Sequence, residues 1–415
     1  MGIPTTTGRF AVKEQASGWG TAETSFANAN FVEAQIVVPT PTQSTVQAEV
    51  MRASYFAPTR LAGGKGPTDI SLTMPLHGFS TDAPTTYPAE HPDSLLLRSA
   101  LGASVLFGYA TDVTGGDATT LTVTSGEAAI CGLAVMAPMG STSPTEYSVG
   151  WVKDKTTTTY TMQRKWALTS AGVDQTPDSS GTVYGSNSIA LTATQPTPFT
   201  LEWLGSTANV SFRFFDCVVT SATITLNARE QPTLAVTVRA ANWTNVGSGG
   251  APSAAALTNR PQMPVVMSDN GARVVDASTE QKAGSVSIAI TSNVADELNY
   301  DAPQGIARFV VTKRIAETTI VAPAAASSAS NLDNPASLIA PGTSAGALQI
   351  DAGTTPGRAF SALIPSGQLK ELQALGDSNS LVSVTTVVEC AIYAGDTTDG
   401  SEGAVMNTPF RLAFL

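Results

Sequence analysis

The stretch SFRFFDCVVTSATITLNAREQPTLAVTVRAA, residues 211–241, decides the fold class. Two runs rich in Val, Ile, Thr and Phe flank a turn, Asn227 to Pro232, made of residues that bend a chain or withhold a ladder bond. Before the turn Ala222, Ile224 and Leu226 fall on one face, Thr223 and Thr225 on the other. After it Leu234, Val236 and Val238 share a face, while Thr233, Thr237 and Arg239 point away. Period two on both sides predicts an antiparallel hairpin with one face buried and the other wet or turned to a partner.

Upstream, the same chemistry recurs in shorter pieces. GRFAVKEQASGWGT (residues 8–21) reads as a strand and a Gly-Trp-Gly turn around Trp19; Phe31 to Val38 is a strand stopped by Pro39 and Pro41. Val46, Ala48 and Val50 alternate, as do Ile70, Leu72 and Met74, and a glycine-rich loop from Arg52 to Pro67 runs between them. PDSLLLRSALG (92–102) predicts a helix, with Asp93 as N-cap, Leu97 and Leu101 four apart, and Gly102 as stop. Residues 109–200 are Thr/Ser/Gly-rich with scattered strands and a KDKTTTT hairpin loop, an inserted hairpin layer or small β-subdomain.

Downstream, Gly247 to Ala256 carries no large side chain and reads as a linker. Strands follow at Val265–Met267, Arg273–Ala277, Val286 to Ile290, Phe309–Arg314 and Thr319–Val321. Residues 323–365 read as a low-complexity loop or exposed arm. SGQLKELQALGD (366–377) predicts a second helix, capped by Ser366, with Leu369, Leu372 and Leu375 inward and Gly376 as stop. Strands over Leu381–Tyr393 and Phe410–Leu415 close the chain. The expectation is a mainly β protein of two tandem β-barrel or sandwich domains, 1–246 and 257–415. Each has one short helix, and Thr/Ser-rich β insertions are added.

Charged residues are only 13% of the 415, against about 25% in an ordinary soluble domain. So little charge predicts a surface of Thr, Ser and Gly, or one hidden against other subunits. Net charge is −11, which argues against general nucleic-acid binding, since phosphate contacts need a basic face. Cys131, Cys217 and Cys390 have no metal-ligand spacing and read as small hydrophobes in a reduced protein. MGIPTTTGRF has no apolar core segment, and the run from Ala128 to Met139 is too short to span a bilayer, so neither secretion nor membrane insertion is expected.

No catalytic, cofactor or metal site is expected. His77 and His91 are the only histidines, and neither accompanies a nucleophile motif. GGKGPT at 63–68 lacks the four-residue spacing and following Ser or Thr of a P-loop. The neighbouring acids Glu90 and Asp93, Asp296 and Glu297, and Asp396 and Asp399 lie in turns or at a helix start, where carboxylates cap and solvate. The interleaving of Trp151, Lys153, Lys155, Tyr160, Arg164, Lys165 and Trp166 is the best nucleic-acid candidate, and a solvated hairpin explains it as well.

FRFFDCVVTSATITLNAREQPTLAVTVRAANW resembles the tail tube proteins of long-tailed bacteriophages: a strand carrying a Cys, here Cys217, then a Val/Ile-rich strand, an acidic or Gly turn, and a returning strand. GRFAVKEQASGWGT, GGKGPTDISLTMPLHG, the helix after His91 and the block from Pro261 to Ser292 resemble other parts of that family. The likeness is one of style over about two thirds of the chain, and 109–200 and 323–365 depart from it by their length. The resemblance implies a non-enzymatic virion protein, assembled in the host cytoplasm, whose copies stack as rings into the tail conduit. Those rings would be pseudo-sixfold trimers or hexamers, in contact with other tail proteins. Viral DNA would pass through without tight binding, because an acidic wall repels phosphate. Arg52, Arg60, Leu61, Gly63, Gly64, Lys65, Gly66 and Pro67 are the expected inter-ring contact loop, since glycines let backbones approach closely. A capsid-decorating or fibre-like β-protein and a carbohydrate-binding β-sandwich are the alternatives.

Overall fold

The computed structural model describes residues 9–27, 30–32, 34–36, 40–41, 43–47, 60–77, 92–124, 131–140, 146–164, 166, 175–179, 181–204, 211–228, 230–246, 272–276, 279–302, 305–323, 347–370, 374–378, 381–396 and 405–415. In chain order the elements are β1 (Arg9–Glu14), β2 (Phe31–Val32), β3 (Gln35–Ile36), β4 (Gln43–Gln47), β5 (Arg60–Lys65) and β6 (Thr68–Pro75), then the helix α1 (Pro92–Leu101). Next come β7 (Gly102–Gly116), β8 (Thr120–Val123), β9 (Ala134–Met139), β10 (Glu146–Lys155), β11 (Thr159–Met162), β12 (Thr182–Leu191), β13 (Phe199–Leu204), β14 (Ser211–Asn227) and β15 (Thr233–Asn245). The rest are β16 (Ala272–Asp276), β17 (Thr279–Ala283), β18 (Ser285–Leu298), β19 (Ile306–Pro323), β20 (Leu348–Ala352), β21 (Phe360–Ile364), β22 (Gly367–Leu369), β23 (Ala374–Ser378), β24 (Leu381–Cys390) and β25 (Arg411–Phe414). The mainly β class is as the alternation predicts.

The hairpin of residues 211–241 forms as β14 and β15, with Ile224 opposite Leu234 and Thr225 opposite Thr233. Neighbours add on both sides to give the run β6-β15-β14-β18-β19-β24. The first part of β14 pairs with β13 instead, and β1 pairs with β13. The inward residues of this sheet, among them Ile70, Leu72, Leu234, Val236, Ile224 and Ile288, meet those of a second sheet, β16-β20-β21-β25-β12-β7, at Ile350, Phe360, Ala362, Leu412 and Phe414. This is a sandwich, and each fully buried side chain contributes about 1.5–3 kcal/mol. Both sheets take strands from either side of residues 247–256.

Helix α1 fills one end of the sandwich with Leu96, Leu97 and Leu101. Pro92 opens it and Asp93 lies in its first turn, both favourable there. Its last carbonyls are capped by side chains: Ala100 O accepts from Ser292 Oγ and from Arg314 Nε, each at 2.9 Å. The chain turns directly into β7 at Gly102, whose φ is 116° and where a Cβ would stand 2.5 Å from Thr192 Oγ1.

The inserted region is a β-subdomain of its own. β12, β7, β8, β11, β10 and β9 pair in that order, and Tyr184 of β12 bridges back to Met136 of β9, so the six strands close into a small barrel. Val113, Leu121, Val123, Val135, Val152, Tyr160, Met162 and Trp166 fill it. Its outer wall, through Ala134, Met136, Val149 and Trp151, packs on the back of the second sheet at Ala359, Leu363, Ala413 and Leu415. Trp151 Nε1 donates to Ser361 Oγ (2.9 Å), which donates to Asp351 Oδ1 (2.6 Å); Gln349 Nε2 bonds both Asp351 Oδ2 and Val149 O.

Three expectations are corrected. The second helix is absent: Gly367–Leu369 and Ala374–Ser378 are strands, with Leu369 opposite Val388 and Leu375 opposite Val384. A lone helix of about a dozen residues is marginal in water, and the open edge of β24 offers backbone partners over the same segment. The low-complexity loop does not extend to 365, because β20 and β21 are strands buried on both faces. Arg60 to Lys65 is not loop but β5, paired with β4.

Candidate assembly surface

The outward face of the first sheet is a broad polar array. Across six strands one row reads Thr73, Ala235, Thr223, Ala289, Glu317, Glu389. The next reads Pro75, Thr233, Thr225, Ser287, Thr319, Val387, and a third reads Ser71, Thr237, Ser221, Thr291, Ile315. Asp69, Ser71, Thr73 and Thr291 are exposed, and the other named positions in these rows that lie on β14, β15 and β18 are half-buried between their neighbours. β-Branched threonine suits a pleated surface, and cross-strand Thr pairs stabilise it by about 0.2–1 kcal/mol each. Charge on this face is sparse and mostly cancelled: Asp69 lies opposite Arg239, and Lys370 Nζ reaches Glu317 at 2.7 Å and Glu389 at 3.5 Å.

One end of the face is closed by an arm. β14 leaves β18 after Thr291, and β24 joins β19 only from Glu317, so among the described residues Ser292–Leu298 and Ile306–Arg314 pair with each other alone. Register shifts at Asn293/Val294 and Glu297/Leu298 bend this two-stranded arm. Ile306 and Phe309 then pack on Val218 and Ala241, with Trp19 and Val294 alongside, in a cluster separate from the sandwich core. Trp19 meets Phe309 edge-on (6.1 Å between centroids), Arg239 lies over the Phe309 ring, and Arg239 Nη2 pairs with Asp296 Oδ2 at 3.1 Å. The Gln195 amide bonds both the N–H and the C=O of Val311, at 2.9 and 3.0 Å, in place of a neighbouring strand. Beyond these contacts the tip is bare: Leu298 is 77% and Tyr300 fully exposed, with Ile392 the remaining large exposed apolar side chain among the described residues.

The Trp19 turn is held to β14 by a buried carboxylate. Asp216 has φ 56°, uncommon for a residue with a side chain. Its Oδ1 accepts from Gln15 Nε2 (3.0 Å) and Gly20 N (2.7 Å), its Oδ2 accepts from Asn242 Nδ2 (2.6 Å), and its own N–H donates to Gln15 Oε1 (2.7 Å). Four bonds offset the backbone strain and fix the receptor on which the arm sits.

Of the expected contact loop, Arg52 lies outside the described residues, Arg60, Leu61, Gly63, Gly64 and Lys65 are in β5, and Gly66 and Pro67 join β5 to β6. β5 forms one ribbon with β4, which among the described residues pairs with neither large sheet. The basic–aromatic run does not make a stacking platform: Trp151, Tyr160 and Trp166 are all buried. His77 Nδ1 sits 3.0 Å from Oδ2 of Asp93 in the first turn of α1, both side chains buried; His91 lies outside the described residues. Burial pushes the Cys217 and Cys390 thiols up, which keeps them protonated and unreactive. Asp396 forms a buried ion pair with Arg411 and brackets Asn407 with two backbone–side-chain bonds, a structural use of its carboxylate. A cavity of about 200 Å³ lies between α1 and the start of β7; its Arg98 is paired with Glu14. Among the described residues no group of His, Cys, Asp or Glu is placed to hold a metal, and no helix is long and apolar enough to cross a membrane. Comparison of the sequence with known protein families and with curated proteins found no match.

Proposed function

We propose that this chain is a structural protein that assembles with itself into a tail tube, with the Thr/Ser face of the first sheet turned to the bore. The open six-strand face carries the reading. It is wide and short-chained, and among the described residues its bases Arg239 and Lys370 are each engaged by acids. A duplex sliding past such a wall meets mostly hydroxyls and carboxylates, with Lys313 at its arm end an exposed cation among the described residues. Among the described residues the first sheet ends in short strands, β2 and β3 of two residues, β22 of three and β23 of five, which fits a guarded oligomer.

Negative-stain microscopy of the purified chain is the first test, with open-ended tubes as the expected result. Discrete small particles would favour a decoration or fibre-like role instead. Counting chains per ring separates trimers from hexamers. Glu317→Lys and Glu389→Lys together should slow DNA passage, more so at low salt; unchanged kinetics over a range of salt would remove this face from the bore.

A further inference from the structure

We propose that the β18–β19 arm is an exchange element: on assembly, the arm of one copy leaves its own Trp19–Arg239 receptor and docks on the same receptor of a second copy. The inference rests on the reading that the chain assembles with itself.

The occupant is defined because the receptor already holds it. Val218, Ala241 and Trp19 take Ile306 and Phe309, Arg239 takes Asp296, and Gln195 takes the backbone of Val311. An identical arm from another copy satisfies every one of these groups, so closed and exchanged forms have the same contacts and concentration decides between them. The junction suits a hinge. On the body side, Ser292 and Arg314 are tied to the end of α1, and Arg314 also bonds Thr192 O and Thr194 O at 2.7 and 2.8 Å. On the arm side, the register slips at once, between Asn293 and Val294. Past that slip, among the described residues, the arm is held by its own small cluster, one ion pair and one amide, so it can open without disturbing the sandwich core. In the closed form Leu298 and Tyr300 cover nothing. Exchange carries this tip across to the seam between copies. Among the described residues the large sheets otherwise end in strands of two to five residues, so the arm is their long element for reaching a neighbour.

The test uses the full chain carrying Arg239→Lys, which keeps the charge beside Asp296 and adds an amine. A water-soluble carbodiimide joins that amine to the Asp296 carboxyl as an amide; the water lost converts the carbodiimide to its urea. Equal amounts of ¹⁴N- and ¹⁵N-labelled chain are mixed, assembled, coupled and digested, and the 239–296 peptide pair is weighed. Lys370 and Glu317, within the sandwich, serve as the internal control and should stay same-isotope throughout. Dilute monomer should give same-isotope 239–296 pairs, and assembled protein should give mixed pairs at the level of random mixing. Tubes with only same-isotope pairs overturn the exchange and leave the tube standing. Mixed pairs in a closed dimer keep the exchange and overturn the tube. A chain that stays monomeric at every concentration overturns both.

Discussion

The sandwich has two backs, and they are built from opposite chemistry. Behind the first sheet lie Thr223, Thr225, Thr233, Ser287 and Thr319, reached by solvent. Behind the second lie Ala359, Leu363, Ala413 and Leu415, closed off by the barrel. The fronts are alike, both giving to one core. The difference teaches which surface this chain treats as finished. An apolar back of that size left bare would be an aggregation hazard, and the barrel removes it. A hydroxyl back needs no cover and is free to face a neighbour or a passing ligand.

Removing the cover should have the largest effect. Trp151→Ala deletes the largest side chain at the barrel–sheet contact and the hydrogen bond to Ser361; it should cost about 3–5 kcal/mol in urea unfolding. A cost below about 1 kcal/mol would mean the second back is not covered as described. Next comes the polar seam beneath it. Asp351→Ala strands the Ser361 hydroxyl and a Gln349 N–H in a closed site, for about 1–3 kcal/mol. Swapping the two chemistries gives a sharper contrast. Ala413→Thr places a hydroxyl against the barrel and should lose about 1–2 kcal/mol, whereas Thr223→Val on the open back should stay within about 0.5 kcal/mol. Equal effects from the pair would erase the distinction between the backs.

The smallest effect is acid sensitivity, with one carboxylate in each region. Glu23, beside β1, accepts the Ala16 N–H and pairs with Lys13, which hold it below its ordinary 4.5. Asp117, in the β7–β8 turn of the barrel, accepts the Thr119 N–H and lies below its ordinary 3.8. A depressed folded value means stabilisation that is complete above the ordinary value and is lost as pH falls through the folded one. Glu23→Gln and Asp117→Asn should each lower stability at neutral pH by under about 1 kcal/mol. That difference should vanish in strong acid, as followed by urea midpoints against pH.

The contrast between the backs also explains what was legible in the sequence. β6, β14, β15 and the first half of β18 face water on one side, so burial leaves the period-two signature that predicted them. β20, β21 and β25 are buried on both faces; the largely apolar Phe410–Leu415 still reads as a strand, whereas LQIDA, which alternates, and FSALI are short and follow an Ala/Ser/Pro/Gly-rich stretch that masks them. Their polar members, Gln349, Asp351 and Ser361, look like loop residues until Trp151 and Val149 arrive from some 200 positions away. SGQLKELQALGD shows the reverse error, a local helical pattern overruled by an available strand edge. The open face was half legible, in the parity of its threonines. The arm was not, since its docking depends on two register shifts and on Gln195 standing in for a strand.

The barrel hangs from the sandwich by a two-stranded stalk. β7 leads out and β12 leads back, antiparallel neighbours from Gly102 opposite Leu191 onward. Entry and exit therefore lie side by side, the geometry of a cassette spliced into a pre-existing hairpin. Such a joint lets a lineage trade one passenger domain for another without rerouting the host chain. The replacement has one inherited duty, however: it must still lie down over Leu363 and Ala413, so the host sheet selects the shape of whatever is inserted.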